Sequence, residues 1–357
     1  MKKLCIGIIG AGMIASQHTK NAIKDGRAEV KWICDMVEPL MKEKMAQFSI
    51  PNGTCDYKEI LQDPEVDAVI ICTPPFTHKR FLFEILDAGK HVLIEKPLCI
   101  SPDDLPEMIA KVQQIAMQQP HLVALEASAR YSLLNKKFAH IKDMIQDGKL
   151  GEIYYIHHTN VSQQSRPGIE YNPGAHWFLD KAKAGGGPLF DWGEYDFAFH
   201  LGLLPSEPNL VKWDVQRING IDRVPHGAPV FDVEEHSIAL LEFDNGLKYY
   251  YEIAMNAHME TRCESRIYGT KGGIKLYYTP WESDELEFFF VDDDGKGKAQ
   301  KEIIKLNLEN EPSQEFEITR HFIDCCVDGV APLMPVSLVA KHLDIVFKLS
   351  NTPLKYV

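Results

Sequence analysis

The chain has 357 residues, with 38 Lys and Arg against 51 Asp and Glu, a formal net charge of −13. Hydrophobic residues make up 45% and charged residues 25%, a globular balance that excludes disordered and collagen-like chains. A chain this acidic repels a phosphate backbone and has no Lys/Arg cluster to offset that, so nucleic acid is not expected as a partner. At roughly 150 residues per domain, the length predicts two domains, each with its own core.

No apolar stretch reaches the ~18 residues of a membrane span, so no membrane partner is expected. Lys2 and Lys3 followed by an apolar run to Ala15 imitate a secretion signal. Gly7, Gly10 and Gly12 break that run and an amphipathic segment follows it, so a cleaved signal is not expected. The 8 cysteines form no CxxC; Cys5, Cys34 and Cys72 lie in apolar runs, and Cys325 adjoins Cys326, where a bridge would be strained. A cytoplasmic chain is the expectation.

Along the chain, short apolar runs alternate with amphipathic stretches up to about residue 127. Strands are predicted at Leu4–Ile9, Val30–Cys34, Ala68–Cys72, His91–Ile94 and Leu122–Glu126. Helices are predicted at Ala11–Lys24, Pro39–Phe48, His78–Ala88 and Pro102–Gln118, the last with Ser101 as its N-cap. Short strands separated by helices imply crossover connections and a parallel sheet, so residues 1–127 read as a dinucleotide-binding domain.

Residues 128–357 read as a second, α/β domain. A helix at Lys136–Asp147 precedes longer alternating segments at Ile153–Ser162, Ser237–Phe243, Lys248–Ala257, Cys263–Gly269, Gly273–Tyr278 and Glu285–Val291. Asp244-Asn245-Gly246 and Asp293-Asp294-Gly295 are hairpin signals. The expected sheet is open and mainly antiparallel, with helices at Glu315–Asp328 and Val336–Leu349 closing this domain.

Gly10-Ala11-Gly12-Met13-Ile14-Ala15 sits where the first strand turns into the first helix. Gly10 permits the tight turn, Gly12 admits a pyrophosphate to the backbone, and Ala15 lets the helix pack closely. The helix N-terminus offers free N–H groups to the phosphates. Asp35 ends the second strand, where an acid binds the adenosine ribose. That acid would repel a 2′-phosphate and no Arg follows it, so the cofactor is expected to be NAD rather than NADP. Thr73-Pro74 and Glu95-Lys96-Pro97 follow the third and fourth strands on the ligand-binding edge. By spacing alone Lys96 is either an electrostatic or acid/base residue or a solvated loop lysine.

Together these strings resemble the Gfo/Idh/MocA family of oxidoreductases. The resemblance is carried by Gly10–His18, Thr73–His78, Ala88–Pro97, Gly148–Ile153 and Gly185–Gly193, and it covers essentially the whole chain. It implies a Rossmann domain, an open-sheet second domain that often makes homo-oligomers, and hydride transfer between a nicotinamide and a sugar, polyol or glycoside. Thr73, Pro74, His78 and Glu95 would then line the cofactor, Lys96 would touch both cofactor and substrate, and Asp191 would be the carboxylate of the catalytic set. Four residues on, the common family pattern has His, whereas this chain has Tyr195. In that it resembles the glucose–fructose oxidoreductase and dihydrodiol dehydrogenase branches. A phenol titrates near ~10, so Tyr195 acting as a base would need Lys96 beside it. The alternative is a packed aromatic beside Phe197 and Phe199.

Residues 162–183 are polar and rich in breakers, with Tyr171, Asn172, His176 and Trp177 as groups suited to a sugar, while Arg166 and Asp180 could equally be surface charges. His176 and Trp177 are the substrate candidates, with an oligomer contact or solvent loop as the alternative. No metal site is expected, because His157 and His158 face opposite sides of a strand and Glu194, His200, His236 and His258 lack ligand spacing. The preferred activity is oxidation of a glucoside at C3 to a keto sugar. A sugar–sugar oxidoreductase with tightly held NAD and a non-enzymatic NAD sensor stay open.

Overall fold

The computed structural model describes residues 2–163, 175–221, 228–279, 281–292 and 297–357. The hairpin signal at 293–295 and the loop candidates Arg166, Tyr171 and Asn172 lie outside the described residues. The chain divides into two compact units: Met1–Arg130 with Pro312–Leu343, and Tyr131–Glu311 with Asp344–Val357. The helix predicted at Glu315–Asp328 therefore counts with the first unit, where the sequence reading had put it in the second domain.

In the first unit the order is β1 (Leu4–Ile9), α1 (Met13–Asp25), β2 (Ala28–Cys34), α2 (Glu38–Phe48), β3 (Asn52–Thr54), α3 (Lys58–Gln62), β4 (Ala68–Ile71), α4 (His78–Asp87), β5 (His91–Ile94), α5 (Asp104–Gln118) and β6 (Ala124–Glu126). The six strands pair in the order β3-β2-β1-β4-β5-β6, every pair parallel. That is the doubly wound dinucleotide-binding order. β1 and β4 are buried at every position, as strands covered on both faces must be, which is why they read as unbroken apolar runs. Helix α5 starts at Asp104, two residues after the predicted Pro102; Ser101 closes a turn there, its Oγ accepting from the Asp103 N–H at 3.3 Å.

The second unit holds α6 (Lys136–Gln146), β7 (Ile153–Gln163), α7 (Lys181–Ala184), α8 (Pro188–Gly202), β8 (Leu210–Asn219), β9 (His236–Phe243), β10 (Lys248–Ala257), β11 (Glu264–Gly269), β12 (Gly272–Tyr277), β13 (Glu285–Val291) and β14 (Ala299–Lys305). α9 (Gln314–Asp328), α10 (Val336–Ser350) and β15 (Leu354–Tyr356) end the chain. The nine-stranded sheet runs β14-β13-β12-β11-β7-β10-β9-β8-β15. It is mixed: β10 pairs parallel with β7 and β15 with β8, and the other pairs are antiparallel. The hairpin at Asp244-Asn245-Gly246 joins β9 to β10, with Gly246 at a φ of 87°. One face of this sheet, through the buried Tyr249 and Tyr251, supports α8.

Candidate active site

The cofactor candidates gather at the carboxyl edge of the first sheet. At Gly10 the backbone takes a φ of +99°, and a Cβ there would stand 2.6 Å from the Cys72 carbonyl oxygen. Only glycine meets both demands. Gly12 is the N-cap of α1, with no side-chain cap and no acid in the first turn, so the leading N–H groups stay open to an anion. A Cβ at Gly12 would meet nothing within 4 Å, so the space over the loop is clear for a pyrophosphate. The Asp35 carboxylate accepts from the Ala11 N–H at 2.7 Å and the Val37 N–H at 2.8 Å, fixing the loop. Met13 is 55% and Met36 91% exposed, apolar surface that a dinucleotide would cover, while Ile14 is half-buried. These residues fit NAD.

Farther along the same edge, two loops are tied together by His78. Its ring nitrogens lie 2.9 Å from the carbonyl oxygens of Thr73 and Pro97. Burial pulls the imidazole pKa down, so a neutral ring donates to one of the two. Thr73 Oγ1 lies 2.6 Å from Thr77 Oγ1, and Thr77 in turn donates to the Pro74 carbonyl at 2.8 Å.

Glu95 turns inward. Arg130 Nη2 donates to both of its oxygens at 2.5 and 2.6 Å, His18 Nε2 lies at 2.8 Å, and the Lys96 N–H donates at 3.2 Å. Burial alone would raise the Glu95 pKa, but the Arg130 charge and the His18 bond outweigh it and hold the carboxylate well below its usual range. His18 Nδ1 reaches Thr319 Oγ1 on α9 at 3.0 Å. The carboxylate thereby grips the main chain at Lys96. His18 closes the Gly10–His18 string but was given no role of its own, while Arg130 and Thr319 escaped the sequence reading, since nothing in their spacing marks them. Beside them, burial pushes Glu126 up to about 7.

Asp191 and Tyr195 stand one turn apart on α8, in the second unit, while Lys96 belongs to the first. Helix α8 is buried along most of its length, with the polar Glu194, Asp196 and His200 among its buried residues. Glu234 Oε1 accepts from the N–H groups of Gly187 and Leu189 at 3.0 and 3.2 Å, capping the helix. Arg217 holds Glu234 Oε2 at 2.5 Å and donates to the Ser350 and Thr352 carbonyls at 2.6 and 2.9 Å.

On another side of α8 the buried Asp196 accepts from Tyr251 at 2.8 Å and from Tyr278, with His158 Nε2 at 3.4 Å. Burial would raise the Asp196 pKa, yet His158 and the Tyr278 bond keep it lowered. Ser265 Oγ sits between His158 Nδ1 (2.9 Å) and His200 Nε2 (2.8 Å). Burial pulls His200 down to about 3, so its ring is neutral.

Tyr195 is 2% exposed and sits among rings. Its ring centroid lies 5.0 Å from Tyr131 and 5.6 Å from Trp192. Those two, with Trp281, are aromatic groups that the sequence reading missed. His176 and Trp177 instead sit in a short turn at His176–Leu179, where Trp177 stacks on Phe178 at 3.9 Å. Among the described residues no group of three or more His, Cys, Asp and Glu is arranged to hold a metal, and no helix is long and apolar enough to cross a membrane. His157 stacks on Tyr250 at 4.6 Å, while His158 points into the core on the opposite face of β7.

The profile of the Gfo/Idh/MocA oxidoreductases with an NAD-binding Rossmann fold matches residues 4–120, and that of the Gfo/Idh/MocA C-terminal domain matches residues 138–275. A levoglucosan dehydrogenase from Pseudarthrobacter phenanthrenivorans is 27% identical over 318 residues, 82% of this chain and 78% of the relative. The D-glucoside 3-dehydrogenase of Escherichia coli is 26% identical over 283 residues, 77% of each chain. The structure of a levoglucosan dehydrogenase in complex with NADH and levoglucosan shares the fold, with a TM-score of 0.80 at 22% identity over 98% of this chain and 97% of that one. With both of its domains matched, the chain belongs to the Gfo/Idh/MocA family of NAD-binding oxidoreductases.

Proposed function

We propose that the chain oxidises a ring hydroxyl of a sugar or glycoside, preferentially the C3 hydroxyl of a glucoside, leaving a 3-keto sugar. The observation that carries this reading is Tyr195, one turn after Asp191 on a helix anchored by Glu234 and Asp196. Bound NAD supplies the hydride acceptor for the alcohol carbon. Tyr195 takes the hydroxyl proton, Lys96 stabilises charge on the oxygen, and Asp191 orients Lys96 or a neighbouring hydroxyl. Gly10, Ala11, Gly12, Met13, Ile14, Asp35, Thr73, Pro74 and His78 hold the dinucleotide, with Glu95 fixing the loop at Lys96. His176 and Trp177 stay candidates for contacting the substrate. The names of the two relatives, a glucoside 3-dehydrogenase and a levoglucosan dehydrogenase, support a sugar substrate.

The 8 free cysteines suit a reducing cytoplasm. The sheet face opposite α8 carries Tyr155, His157, Leu240, Tyr250 and Phe289 at or near the surface, and we place a homo-oligomer contact there. A screen of monosaccharides, inositols and glucosides with NAD, read by NADH absorbance and product analysis, tests the activity. A glucoside giving NADH and a 3-keto product is the expected result. Oxidation at another carbon, or no turnover across the panel, overturns it.

A further inference from the structure

We infer that Tyr131, Trp192 and Trp281 form a corner that binds the apolar aglycone of a glycoside next to Tyr195. The inference rests on the glycoside reading above for the sugar, but the corner itself is measurable without turnover.

The rings have a defined arrangement. Tyr131 and Trp192 lie nearly parallel, 10° apart with centroids at 5.8 Å. Trp281 stands across both, at 86° and 5.7 Å from Tyr131 and at 85° and 5.8 Å from Trp192. Tyr195 touches the parallel pair at 5.0 and 5.6 Å, so the corner is continuous with the phenol proposed to move the proton. These edge-on contacts leave Trp281 62% exposed.

Residues 277–279, near Trp281 in the chain, are nevertheless firmly held. Lys137 Nζ donates to the carbonyls of Tyr277 and Thr279 at 2.6 and 2.9 Å, and Asn135 Nδ2 donates to that of Tyr278 at 2.8 Å. Lys137 is 1% exposed, and burial pulls its ammonium down to about 8. Burying a lysine to grip two carbonyls is costly, and with Asn135 it holds the main chain at residues 277–279, close to Trp281 in sequence. An exposed tryptophan edge-on to two parallel rings presents an apolar surface.

The chemistry of the corner selects the occupant. Three rings offer one phenol and two indole N–H groups against a large apolar area, too few polar groups for a sugar with its several hydroxyls. A flat apolar substituent suits them, with the sugar itself left to Tyr195 and Asp191.

Calorimetric titration of the NADH-loaded protein, in which no oxidation can proceed, tests this with methyl and 4-nitrophenyl glucosides of both anomers. The wild-type chain should bind a nitrophenyl glucoside about tenfold more tightly than its methyl counterpart. Trp281→Ala should remove that preference and leave methyl glucoside binding within twofold, while Trp281→Phe should keep part of it. Equal affinities in the wild type, a preference that survives Trp281→Ala, or no binding of either glucoside overturns the corner. A Trp281-dependent preference without NAD reduction keeps the corner and sinks the dehydrogenase reading. NAD reduction by methyl glucoside without an aryl preference does the reverse.

Discussion

Tyr195→Phe removes one hydroxyl and leaves the ring that packs against Tyr131 and Trp192. Turnover should fall about 10²-fold or more, the usual contribution of a positioned acid/base group, while NADH affinity measured by fluorescence stays unchanged. Near-normal turnover would remove Tyr195 from the chemistry. The two loop glycines separate fold from function in the same way. In Gly10→Ala the new Cβ meets the Cys72 carbonyl at 2.6 Å on a backbone at +99°, so both Tm and NADH affinity should drop. In Gly12→Ala the Cβ enters open space at a φ of −68°. Tm should hold within about a degree while NADH affinity falls roughly tenfold, because the methyl stands where the pyrophosphate approaches. Equal Tm losses in the two variants would contradict this division of labour.

The elements differ in how far their sequences announce them. β1 and β4 were legible because strands covered on both faces are unbroken apolar runs. Strand β3 was not, since Asn52-Gly53-Thr54 has no pattern and exists by pairing with β2. β8 was missed because its inward positions include the polar Arg217 and Asn219, buried through partners elsewhere in the chain. At the site, Asp191 and Tyr195 were readable together because helix spacing relates them locally. The supports of α8 were not, since Glu234 and the Tyr278–Asp196 bond come from other elements.

The network under α8 also has a pH signature. His200 titrates at about 3 in the folded chain against 6.5 in the unfolded one, because burial and neighbouring His158 disfavour its charge, with Asp196 opposing them. Between those values the unfolded chain binds a proton that the folded one does not, so stability rises with pH from about 3 to 6.5 and is lost on acidification. Ser265, Tyr249 and the Asp196 carbonyl lie within hydrogen-bond distance of its ring. In urea titrations at pH 4–6.5, His200→Asn should flatten the dependence by up to about 1.4 kcal/mol per pH unit. An unchanged slope would mean that His200 does not titrate on unfolding.

At the scale of the whole molecule, the first unit is not contiguous in sequence: Pro312–Leu343 returns to it after the second unit has been built. Helix α9 packs on α1 and β1 and buries Ile318, Phe322 and Ile323 completely. Asn21 donates to the Glu315 carbonyl at 2.8 Å, and Arg27 reaches Asp324 and Asp328, each at 2.6 Å. The surface ion pairs contribute little, but three buried apolar side chains are worth roughly 6 kcal/mol, comparable with the whole stability of a domain at about 5–15 kcal/mol. A fragment ending at residue 130 should therefore lack a cooperative thermal transition and bind NADH weakly, although it contains every strand of the six-stranded sheet. Joining residue 130 to residues 312–343 through a flexible linker should restore both properties, because α9 covers α1 and supplies Thr319 to the His18–Glu95 network that holds the main chain at Lys96. A 1–130 fragment that melts cooperatively and binds NADH as the full chain does would show that the returning helix is dispensable.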